Sequence, residues 1–167
     1  MRRISEITYA FFMTYIGNRE LMDRELVAFF ASRTAPPEAF HLARRWAYEI
    51  ARTDRVVISG FHSPIEREVL DVLLSHSCSV IVALGRSLYR RIPTHLCAAY
   101  EENRLLMLSF RDVPRASRSN SQIRNWAITD FASEVVFAPF ASDSPLASLY
   151  DTLRLGSVPI VLMKSAE

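Results

Sequence analysis

Residues 55–66, RVVISGFHSPIE, decide the fold because they join a buried strand to a helix through a single glycine. The short apolar run within 55–59 is typical of a fully buried strand, and Gly60 lets the backbone turn tightly. Pro64 suits the first turn of a helix, which the pattern extends to Ser75. A strand, a turn and a helix in this order indicate one βαβ unit of a parallel sheet.

The same alternation of strands and helices continues in both directions from this unit. Strands are predicted at 11–16, 55–59, 79–84, 105–110, 134–138 and 158–163, and helices at 20–31, 37–52, 64–75, 93–103, 121–131 and 145–155. This pattern predicts an α/β fold of the Rossmann-like, doubly wound type, with a mainly parallel sheet of about six strands and helices on both faces. The length of 167 residues suits one domain over 1–167, without room for a second full domain.

The charged residues are unusual in kind rather than in number. The net charge is only +2, which is too small to require a polyanionic partner, but every basic residue among the twenty is arginine except Lys164. Arginine binds phosphate with two parallel hydrogen bonds, whereas lysine is a point charge. The bias therefore indicates phosphate contacts, although the base composition of the gene is an alternative explanation.

Several classes of protein are disfavoured by what the sequence lacks. Cys78 and Cys97 do not have the C-x-x-C spacing of a redox or zinc site, so two reduced thiols are expected, with no metal and no cofactor. No apolar run approaches the roughly eighteen residues of a membrane span, which predicts a cytoplasmic protein with no membrane partner. There is no nucleophile elbow, Walker loop or dinucleotide fingerprint, so no catalytic residue is predicted and an enzyme is the less favoured class.

Glycines mark the expected ligand-binding edge of the sheet. Gly17, Gly60 and Gly85 each follow a predicted strand, and the carboxyl edge of an open α/β sheet is where loops and helix N-termini bind anions. The residues predicted to bind phosphate at this edge are Gly17, Asn18, Arg19, Ser59, Gly60, His62, Ser142 and Ser144. Simpler roles remain open, since Arg19 could pair with an exposed carboxylate and Ser144 before Pro145 is a typical helix N-cap.

A long polar loop and the helix after it add a cationic stretch at 111–126. Its arginines are Arg111, Arg115, Arg118 and Arg124, opposed by a single acid, Asp112. Arginines interspersed with serine and asparagine, here including Asn125, are the usual contacts to a nucleic-acid backbone. Trp126 could stack on a base, although helical spacing also suits a core position.

Six stretches in order resemble the Rossmann-type domain of the DprA/Smf DNA-processing proteins, within the SLOG group of nucleotide- and nucleic-acid-binding folds. They are TYIGNRE, VVISGFHSPIE, IVALGRSLYRRIPTHL, LLMLSFRD, QIRNWAITDFAS and SDSPLASLYDTL. The family reads AIVGSR on its first strand, which we match to TYIGNRE, and the resemblance covers about 11–163. Where the family has Ala-Arg-Gly-Ile-Asp after its second strand, this chain has His62-Ser63-Pro64-Ile65-Glu66, without that arginine and glycine.

This resemblance implies a DNA-processing domain that binds single-stranded DNA through its phosphates, and a recombination protein as partner. The alternative is a pocket for a nucleotide or signalling nucleotide, as a sensor or as an enzyme of the Lonely Guy type, although the P-G-G-x-G-T-x-x-E motif of those enzymes is absent. A homodimer is also left open, because the helix pair predicted at 20–52 carries Phe29, Phe30, Phe40 and Trp46. Core packing is the simpler role for these four aromatic residues.

Overall fold

The computed structural model describes residues 13–164 and contains one seven-stranded sheet. The strands are β1 Thr14–Gly17, β2 Leu26–Phe30, β3 Val56–Ser59, β4 Val80–Leu84, β5 Leu105–Ser109, β6 Glu134–Phe137 and β7 Ile160–Leu162. The α-helices of the described residues are α1 Glu38–Ile50, α2 Pro64–Ser75, α3 Cys97–Glu101, α4 Arg118–Phe131 and α5 Pro145–Leu153. Short 3₁₀ helices lie at Arg19–Asp23 and Thr94–Leu96. None of the helices in 13–164 is long and apolar enough to cross a bilayer.

The strand order is β1-β5-β4-β3-β2-β6-β7, and all neighbours are parallel except β1 and β5. The chain moves outward from β2 through β3, β4 and β5, and then returns to β6 on the other side of β2. The order of the strands therefore reverses between β2 and β6, where the carboxyl ends of parallel strands leave a crevice for ligands. The predicted doubly wound fold is confirmed.

Helices cover both faces of the sheet and bury separate apolar layers. On one face α1 and α2 pack on alternate residues of the strands, and on the other α4 and α5 pack on the remaining ones. Ala39, Ala43 and Ala47 recur every four residues on α1 and are fully buried. Because these side chains are small, the face of α1 that carries them packs closely against the core.

The prediction of a helix at 20–31 is wrong. A 3₁₀ helix occupies Arg19–Asp23, and 26–30 form β2, in the middle of the sheet. All five residues of β2 are buried, because a central parallel strand is covered on both faces and therefore reads as a continuous apolar run. Of the strand predicted at 11–16, residues 11 and 12 lie outside the described residues. The other predicted elements are present, with ends that differ by a few residues.

The prediction that Gly17, Asn18 and Arg19 lie at the carboxyl edge of the sheet is wrong. Gly17 pairs with Leu106 near the start of β5, and the Asn18 amide donates to the carbonyl of Leu105 at 2.8 Å. The side-chain amide of Asn18 also donates to the carbonyl of Asn103 at 2.9 Å. Because β1 runs antiparallel to the other strands, its carboxyl end lies at the amino edge of the sheet, away from the predicted site.

Candidate nucleic-acid interface at the carboxyl edge

A cavity of about 540 Å³ lies where the strand order reverses. Its walls come from the segments that follow β2 and β6, from the turn before α2 and from the first turns of α4. The lining residues that the site uses are Ser32, Arg33, His62, Glu66, Arg118, Arg124 and Ser144. We call it the switch-point cavity.

A second cavity of about 630 Å³ lies beside the first, against α2 and the loops that follow β3 and β4. It includes Gly60, Arg67, Asp71, Arg86, Tyr89 and Arg115. Three residues, His62, Ala116 and Arg124, line both cavities. We call this one the lateral cavity, and the two meet at the Arg124 side chain.

Glu66 is a buried carboxylate that joins two loops of the site. Its side chain accepts from the backbone amides of His62 at 2.9 Å and Ser63 at 3.1 Å with Oε1. With Oε2 it accepts from the amide of Ala31 at 3.1 Å. The carboxylate therefore fixes the end of β2 to the turn that follows β3, and it completes a capping box with Ser63 at the start of α2.

Arg124 is the central cation of the site and is only 8% exposed. A β-carbon placed on Gly60 would lie 2.6 Å from its Cζ, so the guanidinium rests directly on the glycine backbone. Its Nε donates to Oδ1 of Asn125 at 3.1 Å, and no salt bridge within residues 13–164 includes it. Burial lowers the pKa of this guanidinium, and the negative charge of Glu66 opposes part of that effect. A buried cation without an ion pair is suited to an incoming anion.

His62 lies between cations and is neutral in this arrangement. Nη2 of Arg33 is 2.8 Å from Nε2 of His62, and because a guanidinium can only donate, Nε2 must be the acceptor. Burial lowers the pKa of the imidazole, and the positive charges of Arg124 and Arg33 lower it further. At neutral pH the positive charge of this cluster therefore resides on the two arginines.

The titration of His62 tests this arrangement. We expect an NMR titration to give a His62 pKa below 6.5, and Arg33→Ala to raise it by removing a neighbouring cation. Arg45→Ala, on an exposed part of α1, should leave it unchanged. Since the unfolded chain binds this proton at higher pH than the folded protein, the free energy of unfolding should fall as the pH decreases through about 6.5. A pKa for His62 above 6.5 would contradict this geometry.

Two capped helix N-termini open onto the switch-point cavity. The hydroxyl of Ser117 accepts from the amide of Asn120 at 3.1 Å at the start of α4, and that of Ser144 accepts from Leu146 at 3.2 Å at the start of α5. Ser144 also donates to the hydroxyl of Ser32 at 2.9 Å, which links the loops after β6 and β2. Helix N-termini carry partial positive charge and favour an anion between them.

The predicted site residues divide between the cavities and other places. Those that line one or both cavities are Gly60, His62, Arg115, Arg118, Arg124, Asn125 and Ser144. Ser59 does not, because it is fully buried and its hydroxyl accepts from the amide of Phe61 at 3.1 Å. Arg111 and Ser142 lie outside the lining of both cavities, and Nε of Arg111 donates to Oδ1 of Asn120 at 3.3 Å.

Ser32, Arg33 and Glu66 are site residues that the sequence analysis missed. The first two follow the apolar run of β2, and that run followed by a polar pair was the available signal for a strand and its loop. Glu66 carried a weaker signal, the Ser63-x-x-Glu66 spacing of a capping box. Within residues 13–164 no group of His, Cys, Asp and Glu side chains is placed to hold a metal ion.

Comparison with known proteins points to DNA-processing proteins. A family model described as DNA recombination-mediator protein A matches residues 1–144. No curated protein sequence matches. Among solved structures, DNA processing protein A from Helicobacter pylori superposes with a TM-score of 0.74 at 18% identity, over 92% of this chain and 72% of that one. The structure of that protein describes its single-stranded DNA binding mode.

Two further structures share the fold. DNA processing protein A from Streptococcus pneumoniae gives a TM-score of 0.74 at 18% identity, over 92% of this chain and 55% of that one. The chain thus spans about half the length of that relative. A Moco carrier protein from Chlamydomonas reinhardtii gives a TM-score of 0.55 at 11% identity, over 84% of this chain and 76% of that one. At these identities the structures establish the common fold alone.

Proposed function

The chain belongs to the DNA recombination-mediator protein A family, and on that premise we propose that its carboxyl-edge cavities bind single-stranded DNA through the phosphates. The observation that carries the proposal is the Arg124 guanidinium, which is buried on Gly60 without an ion pair in the described residues. A phosphate in the switch-point cavity would supply the missing negative charge.

The rest of the switch-point cavity supports a phosphate at this place. Arg33 and Arg118 line it with Arg124, against the single carboxylate of Glu66, whose oxygens are already engaged by backbone amides. The N-termini of α4 and α5 add partial positive charge, and serine hydroxyls provide uncharged donors. Cations, hydroxyls and helix N-termini together are the usual contacts of a nucleic-acid backbone.

Further arginines extend the charged surface beyond one phosphate. Arg115 lines the lateral cavity, Arg118 lines the switch-point cavity, and Arg111 is held by Asn120 in the same segment. A strand held at Arg124 would therefore have further guanidinium groups nearby in this segment. Several cations are what a single-stranded backbone needs and what an isolated phosphate group does not.

The salt dependence of binding tests this function. We expect the affinity for a labelled oligonucleotide to fall linearly on a logarithmic salt scale, and Arg118→Ala to reduce the slope by about one unit. Arg19→Ala is the matched control, because Arg19 lies at the opposite edge of the sheet and should change neither slope nor affinity. A variant Arg118→Ala with the slope of the parent protein would contradict a phosphate contact at that position.

A nucleotide ligand is the second candidate, and the size of the cavities favours it. Volumes of about 540 and 630 Å³ fall within the range of small-molecule pockets, roughly 300–1,000 Å³. Saturable binding of a mononucleotide, together with an oligonucleotide affinity that does not depend on salt, would favour this candidate over DNA.

The homodimer and the recombination-protein partner stay predictions. Of the four aromatic residues considered for an interface, Phe29 and Phe30 are buried in the core, and Trp46 stacks on Phe29 with ring centroids 5.0 Å apart. Phe40 is 44% exposed on α1. An interface on this helix would therefore use Phe40 and not the other three.

A further inference from the structure

We propose that the lateral cavity binds a nucleobase of the strand whose phosphate occupies the switch-point cavity, an assignment that rests on the proposed function. The two cavities meet at Arg124, His62 and Ala116, which line both. In a nucleotide the charged phosphate and the flat base are joined through one sugar. Two adjacent cavities, of which the lateral one has an apolar inner wall, can hold these two parts.

The walls of the lateral cavity have the chemistry that a base requires. Its inner surface is apolar and consists of buried side chains from α2, β4, β5 and the 3₁₀ turn before α3. They are Leu70, Val82, Leu84, Leu96 and Met107. The switch-point cavity has no such wall of strand side chains. Around the apolar wall the lateral cavity carries charged side chains, among them Arg67, Arg86 and Arg115. An apolar wall with polar groups placed around it is typical of sites for flat heterocycles.

A stacked pair at the mouth provides a flat surface for the base. Cζ of Arg86 lies 4.6 Å from the ring centroid of Tyr89, and both residues line the cavity. Nε of Arg86 also donates to the carbonyl of Ser87 at 3.2 Å, which limits its movement. Aromatic rings and guanidinium planes are the surfaces on which single-stranded bases stack.

Asp71 gives the cavity a preference among bases. It is the one carboxylate among the lining residues, and within 13–164 it forms no hydrogen bond or ion pair. A carboxylate accepts two parallel N–H groups, and the Watson–Crick edge of guanine offers two neighbouring donors. Thymine offers one N–H between two carbonyl oxygens, which the negative charge repels. Guanine is therefore the preferred occupant.

The test compares three labelled oligonucleotides of about twelve residues by fluorescence anisotropy. One is all thymine, one carries a single central guanine, and one consists of abasic sugar phosphates. We expect the abasic chain to bind about tenfold more weakly than the thymine chain, because stacking is lost. We expect guanine to strengthen binding by about fivefold.

Variants with matched controls assign the effect to this cavity. Tyr89→Ala should weaken binding of the thymine oligonucleotide about fivefold or more and leave the abasic chain unaffected, and Tyr100→Ala, an exposed tyrosine on α3, is its control. Asp71→Asn should remove the preference for guanine without changing the melting temperature, with Asp151→Asn on α5 as control. Asp71 is exposed, so this variant remains informative if Tyr89→Ala fails to fold.

The outcomes separate this proposal from the function on which it rests. Equal affinity for abasic, thymine and guanine oligonucleotides would overturn the base pocket and leave the phosphate site intact. Failure of every oligonucleotide to bind would overturn both. A guanine preference that survives in Asp71→Asn would remove Asp71 from the pocket and with it the assigned specificity.

Discussion

Replacing Arg124 with methionine is expected to weaken oligonucleotide binding by about 30-fold or more and to leave the protein at least as stable as before. The loss is large because the guanidinium is buried. A phosphate that binds there gives up part of its hydration, and the charge of Arg124 has to compensate for that loss. Removing one partner of such a contact costs about 2–5 kcal/mol, and about 1.4 kcal/mol corresponds to tenfold in affinity.

The stability of Arg124→Met follows from the pKa of the native side chain. Burial lowers the pKa of Arg124, which means that the charged form is less favourable in the folded protein than in the unfolded chain. At neutral pH the group is charged in both states, so folding carries a penalty that an apolar side chain of similar length does not have. Glu66 keeps its three amide donors in the variant.

Gly60→Ala provides an independent test of the same contact. The new β-carbon would meet Cζ of Arg124 at 2.6 Å and displace the guanidinium without removing its charge. Gly156→Ala is the control, since its β-carbon would meet the carbonyl oxygen of Leu153 at an ordinary 3.5 Å and Gly156 lies outside the lining of both cavities. Binding is measured by fluorescence anisotropy and stability by thermal unfolding. A folded Arg124→Met with the affinity of the parent would remove Arg124 from the interface.

Glu66→Ala is expected to lower the free energy of unfolding by about 3 kcal/mol or more. The buried amides of Ala31 and Ser63 and the part-buried amide of His62 lose their acceptor together, and each unsatisfied buried donor costs about 1–3 kcal/mol. Water that enters the cavity would recover part of this loss. Glu66→Gln keeps one acceptor oxygen and should therefore fall between the parent and the alanine variant.

Urea unfolding measures these differences, and Glu68→Ala is the matched control on the same helix. Glu68 pairs with Arg44 at 3.4 Å near the surface, where an ion pair contributes less than about 1 kcal/mol. Similar destabilisation by Glu66→Ala and Glu68→Ala would show that the carboxylate of Glu66 does not support the loops.

The sequence predicted the parallel sheet well because its inner strands are continuous apolar runs followed by turn residues. Residues 26–30 are also a continuous apolar run. The polar residues before this run, Asp23 to Glu25, give the whole stretch 20–31 the spacing of an amphipathic helix, and a helix is therefore predicted there. As a result, the family's AIVGSR motif was matched to the strand that ends at Gly17. The structure instead places a central parallel strand before Ala31, Ser32 and Arg33.

The candidate site was predicted only in part, since strand direction and distant partners leave no local pattern. Nothing near Gly17 indicates that β1 is antiparallel, and that single reversal moves three predicted residues to the other edge of the sheet. No local pattern near Glu66 indicates that one of its partners is Ala31, far away in sequence. Arg124, in contrast, lay in a dense arginine stretch that was recognisable without the fold.

The carboxylate that joins the loops after β2 and β3 also has a kinetic consequence. Glu66 fixes these loops in the folded protein. The entropy cost of ordering them is therefore part of folding and not part of ligand binding. Association then requires no slow rearrangement, and its rate should be limited by encounter and by electrostatic attraction to the arginines. With the proposed function, a preorganised interface of this kind would capture strands rapidly, and the lifetime of the complex would set its affinity.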